Sequence, residues 1–359
     1  MNKQVVKTIS QSYSVVDLFC GIGGLTHGFV KENFNVLAGI DVDQSCKYAY
    51  EKNNKTKFIH ADVTSIKTEE INSLYPSNHK KILVGCAPCQ PFSLYSHTRK
   101  SENDKWKLLY SFARIIEELK PEIISMENVP QLATFKRGKV LDDFIKKLES
   151  LGYNVTYYII NAQNYGVPQR RKRLILFASL LDYIKIIPET HKTKFISVKK
   201  VIGKLPVIED GAYYKKDPLH FSRKLSEINK KRIEATPLGG RWKDWKNQNL
   251  ILACHKKESG KAFGSVYGRM FWDDVAPTLT TCCVGLSNGR YGHPEQNRAI
   301  SLREAALLQS FPARYDFIDK SVPFSSTLLA RHIGNAVPVR LGQVIAKSIK
   351  EHIRNVESK

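Results

Sequence analysis

Short apolar runs rich in β-branched residues recur along the first half of the chain, separated by stretches whose apolar positions return every three or four residues. Val15 to Phe19 is the first run; glycines follow it, and Ile22 to Phe29 then has helical spacing. Phe34 to Ile40 predicts a second strand ending at Asp41, Gln44 to Asn53 a helix, and Lys57 to His60 a short strand ahead of Asp62. Ile82 to Val84 predicts a core strand, Lys105 to Leu119 a long helix stopped near Pro121, and Glu122 to Met126 a strand ending at Glu127. Val140 to Leu151 predicts a helix with Gly152 behind it, and Tyr153 to Asn161 and Leu174 to Ala178 predict two more strands. Several strands are apolar throughout, as strands covered on both faces must be. Their alternation with helices predicts an α/β fold built on a doubly wound, mostly parallel sheet. Such sheets bind ligands beyond the carboxyl ends of their strands, where Asp41, Asp62 and Glu127 fall.

The rhythm breaks after Ser179. From there to about Asn297, Gly, Pro, Lys and polar residues dominate, with scattered aromatics, and helical spacing returns at Leu302 to Leu308 and Val339 to Ile349. We therefore expect a first domain over 1–179, a second, smaller and irregular domain over 180–297, and a segment, 298–359, that returns to the first. The chain has 359 residues, long for one domain, which agrees with two lobes. Within 180–262, 19 Lys or Arg stand against 9 Asp or Glu, so the second lobe is basic; the whole chain carries +22. That excess suits a polyanionic partner; the alternative is a generally basic protein.

Seven cysteines show no small secreted-domain spacing, and the adjacent Cys282 and Cys283 lack a matching His or Cys pair, so no metal site is expected. Cys20, Cys46, Cys86 and Cys254 read as core thiols, and Trp242 and Trp245 as core aromatics. No run approaches the length of a membrane span and no signal peptide is evident, which predicts a cytoplasmic, nucleoid-associated protein with reduced thiols and no membrane partner. A monomer is expected.

Gly21, Gly23 and Gly24 follow a strand and open a helix, without the spacing of a dinucleotide fingerprint or a phosphate-gripping Gly-Lys-Ser/Thr. The loop suits a nucleoside-like ligand. Asp41 can then accept from a ribose diol and Asp62 from an adenine amine, while Asp17 can orient the loop or meet a cationic ligand; the alternative is a tight turn with solvated acids. Cys89, between Pro88 and Gln90-Pro91 with Ser93 near, is a thiol presented after a core strand and a candidate nucleophile. Glu127 is a strand-end carboxyl able to hold or deliver a proton, or else a structural salt-bridging residue. Arg171 and Arg173 would share one face of a strand and can clamp an anionic or carbonyl group.

Taken in order, these pieces resemble the cytosine-C5 DNA methyltransferase family. The matching stretches are Asp17 to Leu25, Pro88-Cys89-Gln90, Glu127-Asn128-Val129, Gln169 to Arg173, Arg303 to Pro312 and Gly334 to Pro338, and the likeness runs from about residue 13 to 350. It implies a Rossmann-like class I methyltransferase fold with a target-recognition domain, S-adenosylmethionine as cofactor and double-stranded DNA as partner. Phe19, the Gly21–Gly24 loop and Leu25 would lie along the cofactor. Asp41 would take its ribose, Val42 would stand where the family often stacks a larger residue on adenine, Asp62 would take the amine, and Asn335 would close the site. Cys86 is unusual, since the family places glycine with phenylalanine or proline before its Pro-Cys-Gln.

The implied chemistry is addition of the Cys89 thiolate to C6 of a flipped cytosine, with Glu127 near N3 and the exocyclic amine, Arg171 orienting the base and Arg173 assisting. Beside these motifs Gln90, Ser93, Asn128 and Gln169 are candidate substrate contacts. In the basic lobe Arg241, Arg269, Thr278 and Arg290 are candidate DNA contacts, because arginine pairs with guanine edges and phosphates. The loop after Cys89, through His97, Arg99, Lys100, Lys105 and Lys107, can close over DNA. Glu304 reads as packing support. A compact enzyme of this kind suits restriction-modification or phage defence with a cognate endonuclease. The competing readings are an RNA methyltransferase with the same centre, a catalytically silent DNA-binding scaffold, and a nicotinamide oxidoreductase. The basic lobe disfavours the first, the intact Cys89, Glu127, Arg171 and Arg173 the second, and the missing fingerprint the third.

Overall fold

A computed structural model describes residues 12–88, 108–261 and 263–358. Cys89, Gln90, Ser93 and the basic loop after them lie outside the described residues. The chain divides into two compact units. The first comprises residues 1–165, 172–189 and 337–359, and the second 166–171 and 190–336.

The first unit is built on a seven-stranded sheet. Its strands are β1 (Tyr13–Leu18), β2 (Asn35–Asp41), β3 (Lys57–His60), β4 (Lys80–Gly85), β5 (Ile123–Asn128), β6 (Asn154–Asn161) and β7 (Lys172–Ser179). They lie in the order β3-β2-β1-β4-β5-β7-β6, with β7 antiparallel to both neighbours and the other neighbouring pairs parallel. The helices α1 (Gly24–Lys31), α2 (Lys47–Asn54), α3 (Thr68–Asn72), α4 (Leu108–Leu119) and α5 (Lys139–Ser150) fill the connections. The expected doubly wound, mostly parallel α/β sheet is present. Val15, Val16, Ile82, Leu83, Val84, Ile123 and Ile124 are buried, which is why β1, β4 and β5 read as continuous apolar runs.

The sheet reverses direction of winding between β1 and β4, so the crevice beyond their carboxyl ends is the expected ligand position. Helix α1 packs on the C-terminal helix Val339–Glu357 at the closest range backbones permit. A Cβ at Gly28 would lie 2.4 Å from the Gly342 carbonyl carbon, so this crossing requires glycine. The same helix is held by Lys350, whose ammonium donates to the Glu32 carbonyl.

The second unit carries little regular structure: a hairpin of Tyr213–Tyr214 with Asp217–Phe221 and helices including Glu227–Ala235, Leu302–Leu308 and Ser326–Asn335. One core gathers Ile233, Trp242, Trp245, Leu250, Val266, Tyr267 and Leu286, so both tryptophans are core as read. The segment 298–336 belongs to this unit, and only 337–359 joins the first, where a return of all of 298–359 was expected. The reason is local bonding: the Arg303 guanidinium grips Asp217 of the hairpin at 2.6 Å, and the Gln309 amide donates to the Ile333 carbonyl at 2.7 Å. Among the described residues no helix is long and apolar enough to cross a membrane.

Candidate active site

The site begins with the turn that ends β1. Phe19 has φ +58°, Gly21 +50° and Gly23 +83°, three left-handed residues in five positions. Only glycine adopts this region without strain, so Phe19 is held there by its surroundings. Its ring meets Phe112 of α4 edge-on, with centroids 6.5 Å apart. The turn is fixed by Gly23 N donating to Cys20 O at 2.9 Å and by Gly21 N donating to Asp41 Oδ2 at 2.8 Å. Asp41 also accepts from Asp43 N through Oδ1 at 2.8 Å. The carboxylate at the end of β2 thus anchors the loop that opens α1 at Gly24.

Three observations fit this loop to a nucleoside-like ligand. The direction in which a Gly21 side chain would project is open: among the described residues, its chain neighbours apart, no atom lies within 4 Å. Val42, next to Asp41, is 64% exposed, an apolar surface placed where a flat ring could lie. Behind the loop Asp17 is buried, accepts from the Thr26 hydroxyl at 2.6 Å through Oδ2, and has no hydrogen-bond partner on Oδ1 among the described residues. Burial, with a lesser push from Asp41, raises the Asp17 carboxyl to about 7. Burial also lifts the Cys20 thiol well above its usual range, so Cys20 is an inert core thiol, as read. Asp62 is exposed after β3 and caps its own turn through Thr64 N at 2.8 Å. Leu25 was expected along the ligand; its side chain is buried in the core, so it supports the loop from behind.

The second part of the site lies where β4, β5 and β7 end together. Gly85 is the register partner of Met126, so the next residues along, Cys86 and Glu127, come side by side. Glu127 is only 3% exposed. The Cys86 thiol donates to its Oε2 at 2.7 Å. Arg173 Nε stands 2.7 Å from its Oε1. That contact is an ion pair out of line with the N–H, since Oε1 makes no directed hydrogen bond among the described residues. Arg173 reaches Glu127 diagonally across the β5–β7 ladder, in which Glu127 faces Ile175. Of the charged run, Lys172 and Arg173 belong to β7, with Arg173 neutralised inside the sheet, whereas Arg171 precedes the strand and so does not share a strand face with Arg173 as expected. Cys86 was read as a core thiol; it is half-buried with its sulfur on Glu127. Cys254, read the same way, is exposed, whereas Cys46 is buried.

Asn128 was a candidate substrate contact. It is buried, its amide donating to Ala87 O at 3.3 Å and its Oδ1 accepting from Val129 N at 2.8 Å. It latches the segment that leads into Pro88-Cys89. The sequence signal for this latch was only its adjacency to Glu127.

In the second unit, Gln169 is fully buried. It donates to Gln309 Oε1 at 2.9 Å and accepts from Leu279 N at 3.0 Å, which makes it framework and not a substrate contact. Arg171 donates through Nη1 to Leu279 O at 3.1 Å. Arg269 was expected to read DNA. It is 3% exposed and donates to the carbonyls of Thr236, His293, Gln296 and Ile233 and to the Asn297 side chain, so its planar fork cross-links loops and cannot reach a base edge. Arg290 is similarly turned toward the carbonyls of Gly239, Gly240 and Arg269, stacked over Phe271 at 5.1 Å. Arg241 and Thr278 are exposed, the latter bonded to Arg170 O at 2.6 Å. Asn335 ends its helix and is exposed. Glu304 is buried with Arg298, both guanidinium nitrogens at 2.8 Å, a packing support as read.

The family model for C-5 cytosine-specific DNA methylase matches residues 13–351. The Type II methylase M.HgiDII of Herpetosiphon aurantiacus is 54% identical over 348 residues, covering 96% of this chain and 97% of that one. The Type II methyltransferase M.PspPI of a Psychrobacter species is 31% identical over 350 residues, covering 95% and 79%. Among solved structures, a prophage-encoded DNA modification methyltransferase of E. coli superposes with a TM-score of 0.72 at 22% identity, covering 96% of this chain and all of that one. DNMT2 of Spodoptera frugiperda does so at 0.65 and 16%, covering 94% and 99%. At these identities the structural likeness bears on the fold alone.

Proposed function

The chain belongs to the C-5 cytosine-specific DNA methylase family and is a DNA (cytosine-5) methyltransferase; from that premise we propose that it methylates C5 of a cytosine flipped out of a specific double-stranded sequence, through a transient bond from Cys89 to C6 of the base. S-adenosylmethionine supplies the methyl group as a sulfonium electrophile. The loop from Phe19 to Gly24, with Asp41, Val42, Asp62 and Asn335, would hold it.

The observation that carries the reading is the buried Glu127 at a strand end. It is braced by Arg173 and by Cys86, which precedes Cys89 by three residues in the chain. Cytosine C5 is too weak a nucleophile to accept a methyl group directly. Addition of the Cys89 thiolate to C6 pushes an electron pair toward C5, and a proton held between Glu127 and N3 would neutralise the charge arriving in the ring while the carboxyl accepts from the exocyclic amine. Arg173 keeps that carboxylate aimed, and Arg171 orients the base. C5 would then take the methyl group, releasing the donor as its neutral thioether, and loss of the C5 proton to a base or water would re-form the C5–C6 double bond and expel the Cys89 thiolate from C6. Extrusion of the base costs a few kcal/mol, which pocket contacts and backbone clamps must return. By likeness to Type II methylases, the methylated sites would protect host DNA from a cognate endonuclease.

Labelled S-adenosylmethionine and DNA of mixed sequence, read base by base, should yield labelled cytosine within one short context. DNA with 5-fluorocytosine at that position should then trap the enzyme covalently at Cys89. Methylation without any trapped complex would refute the covalent route, and label in RNA instead of DNA would refute the substrate.

A further inference from the structure

A glutamate's terminal torsion is soft and broad, so burial alone does not aim its carboxylate. Two anchors on different oxygens do. In this chain Arg173 stands at Oε1 and the Cys86 thiol at Oε2, each at 2.7 Å. Among the described residues the thiol makes the directed hydrogen bond to that carboxylate. Its backbone is pinned on both sides: Cys86 N donates to Leu18 O at 3.4 Å, and Ala87 O accepts from Asn128 at 3.3 Å. The position of the sulfur is therefore set by β1, β4 and β5 together.

We propose that Cys86 is a positioning residue of the methyl-transfer centre, its thiol holding Glu127 in the plane that meets the base and yielding Oε2 when the base arrives. The inference rests on the reading of Glu127 given above. A thiol is a weak donor. It defines a direction while the pocket waits, and the stronger N–H donor of an incoming amine displaces it at little cost. A hydroxyl of the same reach would aim the carboxylate too. A methyl group would leave Oε2 undirected and without its donor in a buried place. Cys86 thus acts on the reaction through Glu127 and touches neither methyl donor nor C6.

The test is steady-state methylation of a mapped duplex by wild type, Cys86→Ala, Cys86→Ser and Glu127→Gln, with the Cys86→Ala/Glu127→Gln double variant. Far-ultraviolet circular dichroism and cofactor titration establish that each is folded. Cys86→Ala should lower kcat about threefold to tenfold and leave KM for S-adenosylmethionine within twofold; Cys86→Ser should recover most of kcat. In the Glu127→Gln background, Cys86→Ala should have no further effect, since the thiol acts through the carboxylate. A Cys86→Ala enzyme with unaltered kcat, a loss that Ser does not rescue, or a loss equally large without Glu127 would each overturn the proposal while leaving the role of Glu127 standing. Full turnover by Glu127→Gln would overturn that role and the proposal together.

Discussion

Asp17 supplies a pH dependence whose sign and size follow from its burial. The carboxyl sits under the glycine loop with one oxygen bonded to Thr26 and the other without a partner among the described residues, and burial raises it from 3.8 to about 7. In the unfolded chain the group ionises near pH 4; in the folded chain it stays protonated until about pH 7. Between those values the native state binds more protons, so stability falls as pH rises, and above pH 7 the full penalty remains. The difference of about three units corresponds to about 4 kcal/mol at 1.36 kcal/mol per unit. Between pH 5 and 8 the change is about 2–3 kcal/mol. Asp17→Asn removes the titration and keeps an acceptor for Thr26. Its unpaired amide adds a cost that does not vary with pH. The quantity to measure is therefore the change with pH in the stability difference between Asp17→Asn and wild type. Urea unfolding followed by far-ultraviolet circular dichroism, without cofactor, should show the variant gaining on wild type by about 2–3 kcal/mol across that range. A difference flat with pH would refute the reasoning.

Three further outcomes are expected. Glu304→Gln should destabilise the second unit by about 3–5 kcal/mol, since Arg298 is 1% exposed and would lose a paired charge; the fluorescence of Trp242, Trp245 and Trp272 during denaturation reports it. Gly28→Ala should cost about 1–3 kcal/mol by forcing α1 from the C-terminal helix, seen as a lower Tm, and an unchanged Tm would contradict the close crossing. Arg269→Met should cost more than about 3 kcal/mol by orphaning buried carbonyls and leave the methylated sequence context unchanged; a shifted context at full stability would restore Arg269 as a reader of DNA.

What the sequence made legible divides along physical lines. β1, β4 and β5 were readable because residues such as Val15, Leu83 and Ile124 are buried on both faces, and burial writes itself as a continuous apolar run. The insertion of a reversed β7 between β5 and β6 was not readable, because periodicity carries no direction. The edges also moved: Lys172 and Arg173 belong to β7 although both are charged, since Arg173 finds its counter-ion on the neighbouring strand. Gln44 to Asn53 resolves into a short turn and a helix from Lys47, with the Asp43 side chain accepting from Ser45 N at 3.1 Å. At the site, Glu127 and the glycine loop stand out locally in sequence. The pairing of Cys86 with Glu127 comes from strand register across 41 residues, and a cysteine among apolar neighbours gives no local sign of such a partner.

The second unit explains why arginine counts mislead. A lobe with few ladders must satisfy its backbone carbonyls by other means. Arg269, Arg290 and Arg298 do so, each placing a five-donor fork among loop carbonyls or a buried carboxylate. Part of the +22 charge is therefore structural and does not face phosphate. The DNA-facing share should reside in exposed side chains such as Lys243 and Lys246, beside the exposed Arg241. The slope of log affinity against log salt separates the two groups. Replacing Lys243 and Lys246 by Gln should lower it by about 0.9 for each that neutralises a phosphate, whereas Arg269→Met should leave it in place. A slope that follows Arg269 and ignores the lysines would mean that the buried fork opens to the backbone of DNA, and the framework role assigned to it here would be wrong.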